Sequence, residues 1–132
     1  MPEYGRYKKL PRPESIQKFI EYLDTNEIVS QVKTVSEQII CIERVKYSSL
    51  RVFLTNIYIV GLADVHEILA QADPLDAIVT MSLWNSYTSE AKEFCKERRI
   101  GLFMFKEFLG AVHYDGNRYL NYIPPDERKK KQ

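Results

Sequence analysis

Cysteine is scarce in this chain: Cys41 and Cys95 are the only two, and neither belongs to a CxxC or sits near a histidine pair. A disulfide framework or a zinc site is therefore not expected, and both thiols are read as buried. Five glycines and six prolines in 132 residues are too few for a collagenous or disordered chain. No apolar run approaches the ~18 residues of a membrane-spanning helix, so no membrane partner is expected. Residues 1–12 carry charges and tyrosines but no apolar leader core, which points to a cytoplasmic protein. Neither Gly61 nor Gly101 lies in a GxGxxG or GxxxxGK[ST] loop, so dinucleotide and P-loop binding lack support.

What is present suits a single compact domain, with 45% apolar and 12% aromatic residues. The net charge of +1 hides a polarity along the chain. Residues 1–12 hold four basic residues against one acidic, residues 124–132 hold four against two, and the segment between is left at −4. The expected organisation is thus a basic arm over 1–12, one α/β domain over 13–123, and a basic tail over 124–132. A mildly acidic body does not offer the broad positive face of a duplex-DNA binder, because such binding rests on neutralising phosphates. Candidate nucleic-acid contacts are accordingly confined to the ends, at Lys8, Lys9, Arg12, Lys129, Lys130 and Lys131. The ordinary reading of the last three is a solvated terminus.

Ile16, Phe19, Ile20 and Leu23 follow a helical stripe from Pro13 to Thr25. Residues 27–33 read as a short strand, and residues 38–45 and 50–60 as two β-prone runs joined by a polar turn, with Asn56 a possible break. Asp64 with Glu67 three residues on predicts a helix start capped by Asp64. Ala77–Met81 predicts a strand covered on both faces. Thr88 opens a helix with Glu90 in its first turn and Arg98 and Arg99 at its end. Residues 100–105 form another apolar strand, and the alternation of strand and helix implies parallel pairing. Residues 109–114 and 118–123 flank Asp115-Gly116, which predicts a tight-turn hairpin, with a short helix over 106–111 as the alternative.

That order, together with Ile78-Val79-Thr80-Met81, the helix start Thr88-Ser89-Glu90-Ala91 and the run Arg99-Ile100-Gly101-Leu102-Phe103, resembles the Mrr-type restriction endonucleases over residues 14–110. The resemblance implies an α/β, restriction-endonuclease-like mixed central sheet flanked by helices, here followed by a C-terminal β-hairpin. It also implies an acidic residue on one hairpin strand and a Glu/Gln-x-Lys triplet on the next, holding magnesium. At the matching positions this chain has Phe53 and Thr55, with Ile40, Cys41 or Glu43 at the first. Neither a benzyl ring nor one carboxylate can hold a hard cation, so no catalytic residue, metal or cofactor is expected. The expectation is a non-catalytic, nucleic-acid-associated or assembly module in DNA processing or defence, with DNA or a DNA-processing protein as partner.

Two alternatives stand beside it. A nuclease with a migrated magnesium site would use Glu43, Lys46, Asp64 and Glu67, although helix capping and strand solvation account for these residues as they are. A protein-interaction module or homodimer would use Trp84, Tyr87, Tyr119 and Tyr122 at a loop and a hairpin edge. His66 and His113 are read as surface residues, and Cys95 as a packed thiol with a raised pKa.

Overall fold

A computed structural model describes residues 10–125. The first element, α1 (Pro13–Asp24), is entered by proline, whose missing N–H costs nothing in a first turn. Phe19 and Leu23, one turn apart, are its buried anchors. Three strands follow: β1 (Val29–Thr34), β2 (Ile39–Arg44) and β3 (Leu50–Thr55). They form an antiparallel meander with Ile40 opposite Val52 and Ile39 opposite Phe53. Asn56 does break the second β-prone run, because β4 (Ile59–Val60) leaves the main sheet and pairs in parallel with β6 (Ser86–Tyr87).

Between these lie α2 (Leu62–Ala72) and β5 (Ala77–Thr80), followed by α3 (Ser89–Glu97) and β7 (Gly101–Met104). Strands β3, β5 and β7 are parallel, with Phe53, Ile78 and Leu102 in register, which completes a mixed sheet ordered β1-β2-β3-β5-β7. The short crossovers through α2 and α3 place both helices over one face. There Val65, Ile68, Ala91 and Cys95 pack on Phe53, Ile78 and Leu102. On the other face α1 and the C-terminal helices cover Ile40, Val52, Leu54, Val79 and Phe103. Every residue of β5 is buried, as expected of a strand covered on both sides. The chain is thus α/β, a mixed five-stranded sheet with helices on both faces. Among the described residues no helix is long and apolar enough to cross a membrane.

Two expectations are corrected. The C-terminal segment is not a β-hairpin but two helices, α4 (Phe105–Ala111) and α5 (Gly116–Leu120). Helix wins because Phe108, Ala111 and Val112 fall at i, i+3 and i+4, so one stripe reaches the core. The Phe108 ring then lies 5.9 Å from both Phe19 and Phe103. Glu107 secures the first turn, its Oε1 accepting from Met104 N at 2.9 Å. Asp115-Gly116 does mark a positive φ, +61° at Gly116, but it turns the chain into α5. The second correction concerns α2, which begins at Leu62 with Gly61 as its cap residue. Asp64 is three residues inside, and its Oδ2 reaches back to accept from Gly61 N at 2.9 Å.

Candidate functional site

In an open α/β sheet the loops at the carboxyl ends of the parallel strands are where ligands settle, since strands stop there while helices restart. Here residues 56–58 leave β3 and residues 81–85 leave β5. Met81 N extends the ladder to Thr55 O at 3.0 Å, and Ser86 N donates to Tyr58 O at 2.8 Å, so the two loops run side by side. Side chains then lock them. Asn85, only 3% exposed, donates from Nδ2 to Asn56 Oδ1 at 2.9 Å and to Thr80 Oγ1 at 3.0 Å. Ser82 Oγ donates to the same Asn56 Oδ1 at 2.6 Å, and Thr80 Oγ1 to Ile57 O at 2.7 Å. Each buried polar group has a partner, and removing one costs roughly 1–3 kcal/mol by leaving the others unmet.

This rigid polar shelf forms one wall of a cavity of about 600 Å³; α1 and the start of α4 supply the others. Its volume lies in the range of small-molecule sites. Among the described residues, Arg12 and Lys18 are the charged residues of the lining, which includes no carboxylate. Both are exposed. Trp84 and Tyr22 also line it, and they are 73% and 59% exposed, the reverse of what large aromatic rings do in a core. The arrangement suits a planar, negatively charged ligand, with cations for the charge and rings for the face.

A second cluster is of a different kind. Tyr87 OH donates to both oxygens of Glu107, at 2.8 and 2.9 Å, and Lys92 Nζ donates to Leu102 O at 2.6 Å. The Lys92 ammonium lies 4.3 Å from the Phe103 ring centroid, and its burial pulls the pKa down to about 8, with Glu107 opposing. None of the three residues lines the cavity. They tie β6, α3, β7 and α4 together.

The residues singled out from sequence divide clearly. Phe53 and Thr55 are 4% and 1% exposed, on β3. Glu43 pairs with Lys33 at 3.2 Å across β1 and β2, Asp64 caps α2, and Lys46 and Glu67 are exposed on separate elements. Among the described residues no group of three or more His, Cys, Asp or Glu is placed to hold a metal ion, so Glu43, Asp64 and Glu67 do not assemble. His66 and His113 are exposed, against Phe94 and Asn26 respectively. Cys95 is fully buried and its thiol is pushed up to about 11 by desolvation, while Cys41 is only half-buried, against expectation.

Of the aromatic residues expected at a partner surface, Trp84 is exposed and Tyr87 is half-buried against Glu107. Tyr122 is half-buried and stacks on Tyr114 at 5.7 Å. Tyr119 is corrected to a core residue: 5% exposed, with its hydroxyl donating to Asp76 O at 2.7 Å and its pKa raised by burial. Arg12 is at the cavity, whereas Lys8, Lys9, Lys129, Lys130 and Lys131 lie outside the described residues. Sequence reasoning missed Lys18, Tyr22, Asn56 and Ser82. The first two were findable, because Ser15, Lys18 and Tyr22 recur at helical spacing beside the buried Phe19 stripe. The chain matches no family model, no curated protein and no solved structure.

Proposed function

We propose that this chain is a non-catalytic, nuclease-like α/β module that binds nucleic acid through the cavity at the carboxyl end of its parallel strands. The observation that carries the reading is the lining, in which, among the described residues, Arg12 and Lys18 stand with Trp84 and Tyr22 and no carboxylate joins them. Cations answer phosphates and aromatic faces answer bases, a pairing typical of polynucleotide sites. The order of helix, meander, helix, strand, helix, strand agrees with the restriction-endonuclease resemblance. Phe53 and Thr55, where that resemblance expects a metal carboxylate and a lysine, support binding without cleavage.

Trp84 is the only tryptophan, so its fluorescence reports on the cavity alone. Titration with oligonucleotides at low salt should quench it, with an affinity that falls as salt rises. The double variant Arg12→Ala, Lys18→Ala should bind roughly tenfold more weakly, the loss of about two phosphate contacts. Incubation of the same oligonucleotides with magnesium or manganese should leave them intact. Absence of any binding at low salt, or cutting that Glu43→Ala abolishes, would overturn the reading.

A further inference from the structure

The shape of the cavity says more than its charge. A base inside a duplex has both faces covered by its neighbours and its pairing edge occupied, so it cannot enter a concave site walled by two helices and two loops. An unpaired base can. The polar shelf also has a definite hydrogen-bonding character. Asn56 Oδ1 is committed to Ser82 and Asn85, so what the Asn56 amide has to offer a ligand is its N–H donors. Ser82 Oγ gives its proton to Asn56 and so presents acceptor lone pairs. A donor beside an acceptor is the complement of a base edge. Phosphate contacts alone would be too few for a duplex, since the residues between the arm and the tail carry a net −4.

From these observations, and resting on the nucleic-acid reading above, we propose that the cavity takes one unpaired nucleotide of a single strand. Trp84 and Tyr22 cover the base, Asn56 and Ser82 meet its edge, and Arg12 and Lys18 hold the flanking phosphates. The shared chemistry is the unpaired nucleotide; DNA and RNA are its two sources.

The test uses the full chain with labelled short oligo(dT), oligo(U) and a blunt duplex of the same length, followed by anisotropy. Single strands are expected to bind at least about tenfold tighter than the duplex, because base–aromatic stacking contributes roughly a ten- to hundredfold per base. The tighter of the two single strands identifies the source. Trp84→Ala removes a ring that is 73% exposed, so folding should survive. It should cost single-strand binding about tenfold or more and weaken duplex binding by much less, since a stacked base cannot reach the ring. Arg12→Ala with Lys18→Ala should instead flatten the salt dependence of the single-strand affinity by a slope of about 1.4, at ~0.7 per neutralised phosphate. Equal binding of single strand and duplex, or an indifferent Trp84→Ala, overturns the unpaired nucleotide while nucleic-acid binding stands. Failure of every oligonucleotide to bind overturns both.

Discussion

Arg44 and the pair Arg12 and Lys18 carry the same kind of charge on opposite terms. Arg44 ends β2 with its side chain fully buried, and every arm of the guanidinium is engaged. It donates to Ser48 O at 2.8 Å, Val112 O at 3.1 Å, Tyr114 O at 2.6 Å and Asp115 Oδ1 at 3.0 Å. Its carbon also lies 5.0 Å from the Tyr47 ring centroid. A buried charge is tolerated only when so completely answered, and answering it closes the β2–β3 turn onto the junction of α4 and α5. Arg12 and Lys18 sit exposed on a cavity whose lining, among the described residues, offers no carboxylate to answer them. The lesson is that a cation's role follows from its partners: one set is internal and maintains the fold, the other faces solvent and is open to a ligand.

The contrast can be broken or sharpened by measurement. Arg44→Met should be the most damaging change, lowering stability by about 2–4 kcal/mol in urea unfolding, because three carbonyls and a carboxylate lose their donor together. Arg44→Lys should rescue little, as one ammonium cannot reproduce the planar fork. Next is Gly101→Ala, at about 1–3 kcal/mol by overpacking: a Cβ there would run into the buried Phe103 ring and meet Tyr119 at 3.1 Å. The same change at Gly61, whose added Cβ would meet only Asp64 at 3.7 Å, should cost less, about 0.5–1 kcal/mol, because alanine is a poorer helix N-cap than glycine.

Lys92 is the intermediate case, a half-buried cation with one carbonyl acceptor and rings beneath it. Its folded-state pKa, about 8, lies below the ordinary 10.5, so above pH 8 the folded chain binds fewer protons than the unfolded one. Stability should therefore rise with pH, by about 1 kcal/mol between pH 8 and 9. Beyond the ordinary thiol value of 9.0 the trend should flatten, because Cys95, held up at about 11, has the opposite sign. Lys92→Met should remove the rise, which unfolding curves at the two pH values would show. The smallest expected effect is on the stability of the Arg12→Ala, Lys18→Ala variant, whose urea midpoint should match the parent while its oligonucleotide binding falls. A large loss of stability there would erase the distinction between the two kinds of cation.

Local patterns were readable wherever one periodicity had no rival. The Ile16, Phe19, Ile20, Leu23 stripe gives α1, Ala77–Met81 gives β5 to within a residue, and Thr88 does cap α3, its hydroxyl accepting from Ala91 N at 3.1 Å. Residues 106–111 were ambiguous because a short apolar run before Asp-Gly satisfies both a hairpin strand and a short helix, whereas α5 had no helical signal of its own. Contact with Phe19, far away in sequence, decides it. The cavity was half legible. Trp84 stood out as an aromatic residue in a loop after a strand, but nothing local joins it to Lys18 and Tyr22 on α1.

The succession of the main strands and helices from α1 to β7 and the strand covered on both faces were fixed by residue type and spacing, because burial patterns repeat within a few residues. Which charges face inward was not. Arg44 finds three of its four acceptors 68 to 71 residues downstream, and Arg12 meets the loop after β5 only once α1 is laid across the sheet. Partners that distant are chosen by packing, since a side chain's hydrogen-bonding demand names the kind of group it needs but not where along the chain that group will come from.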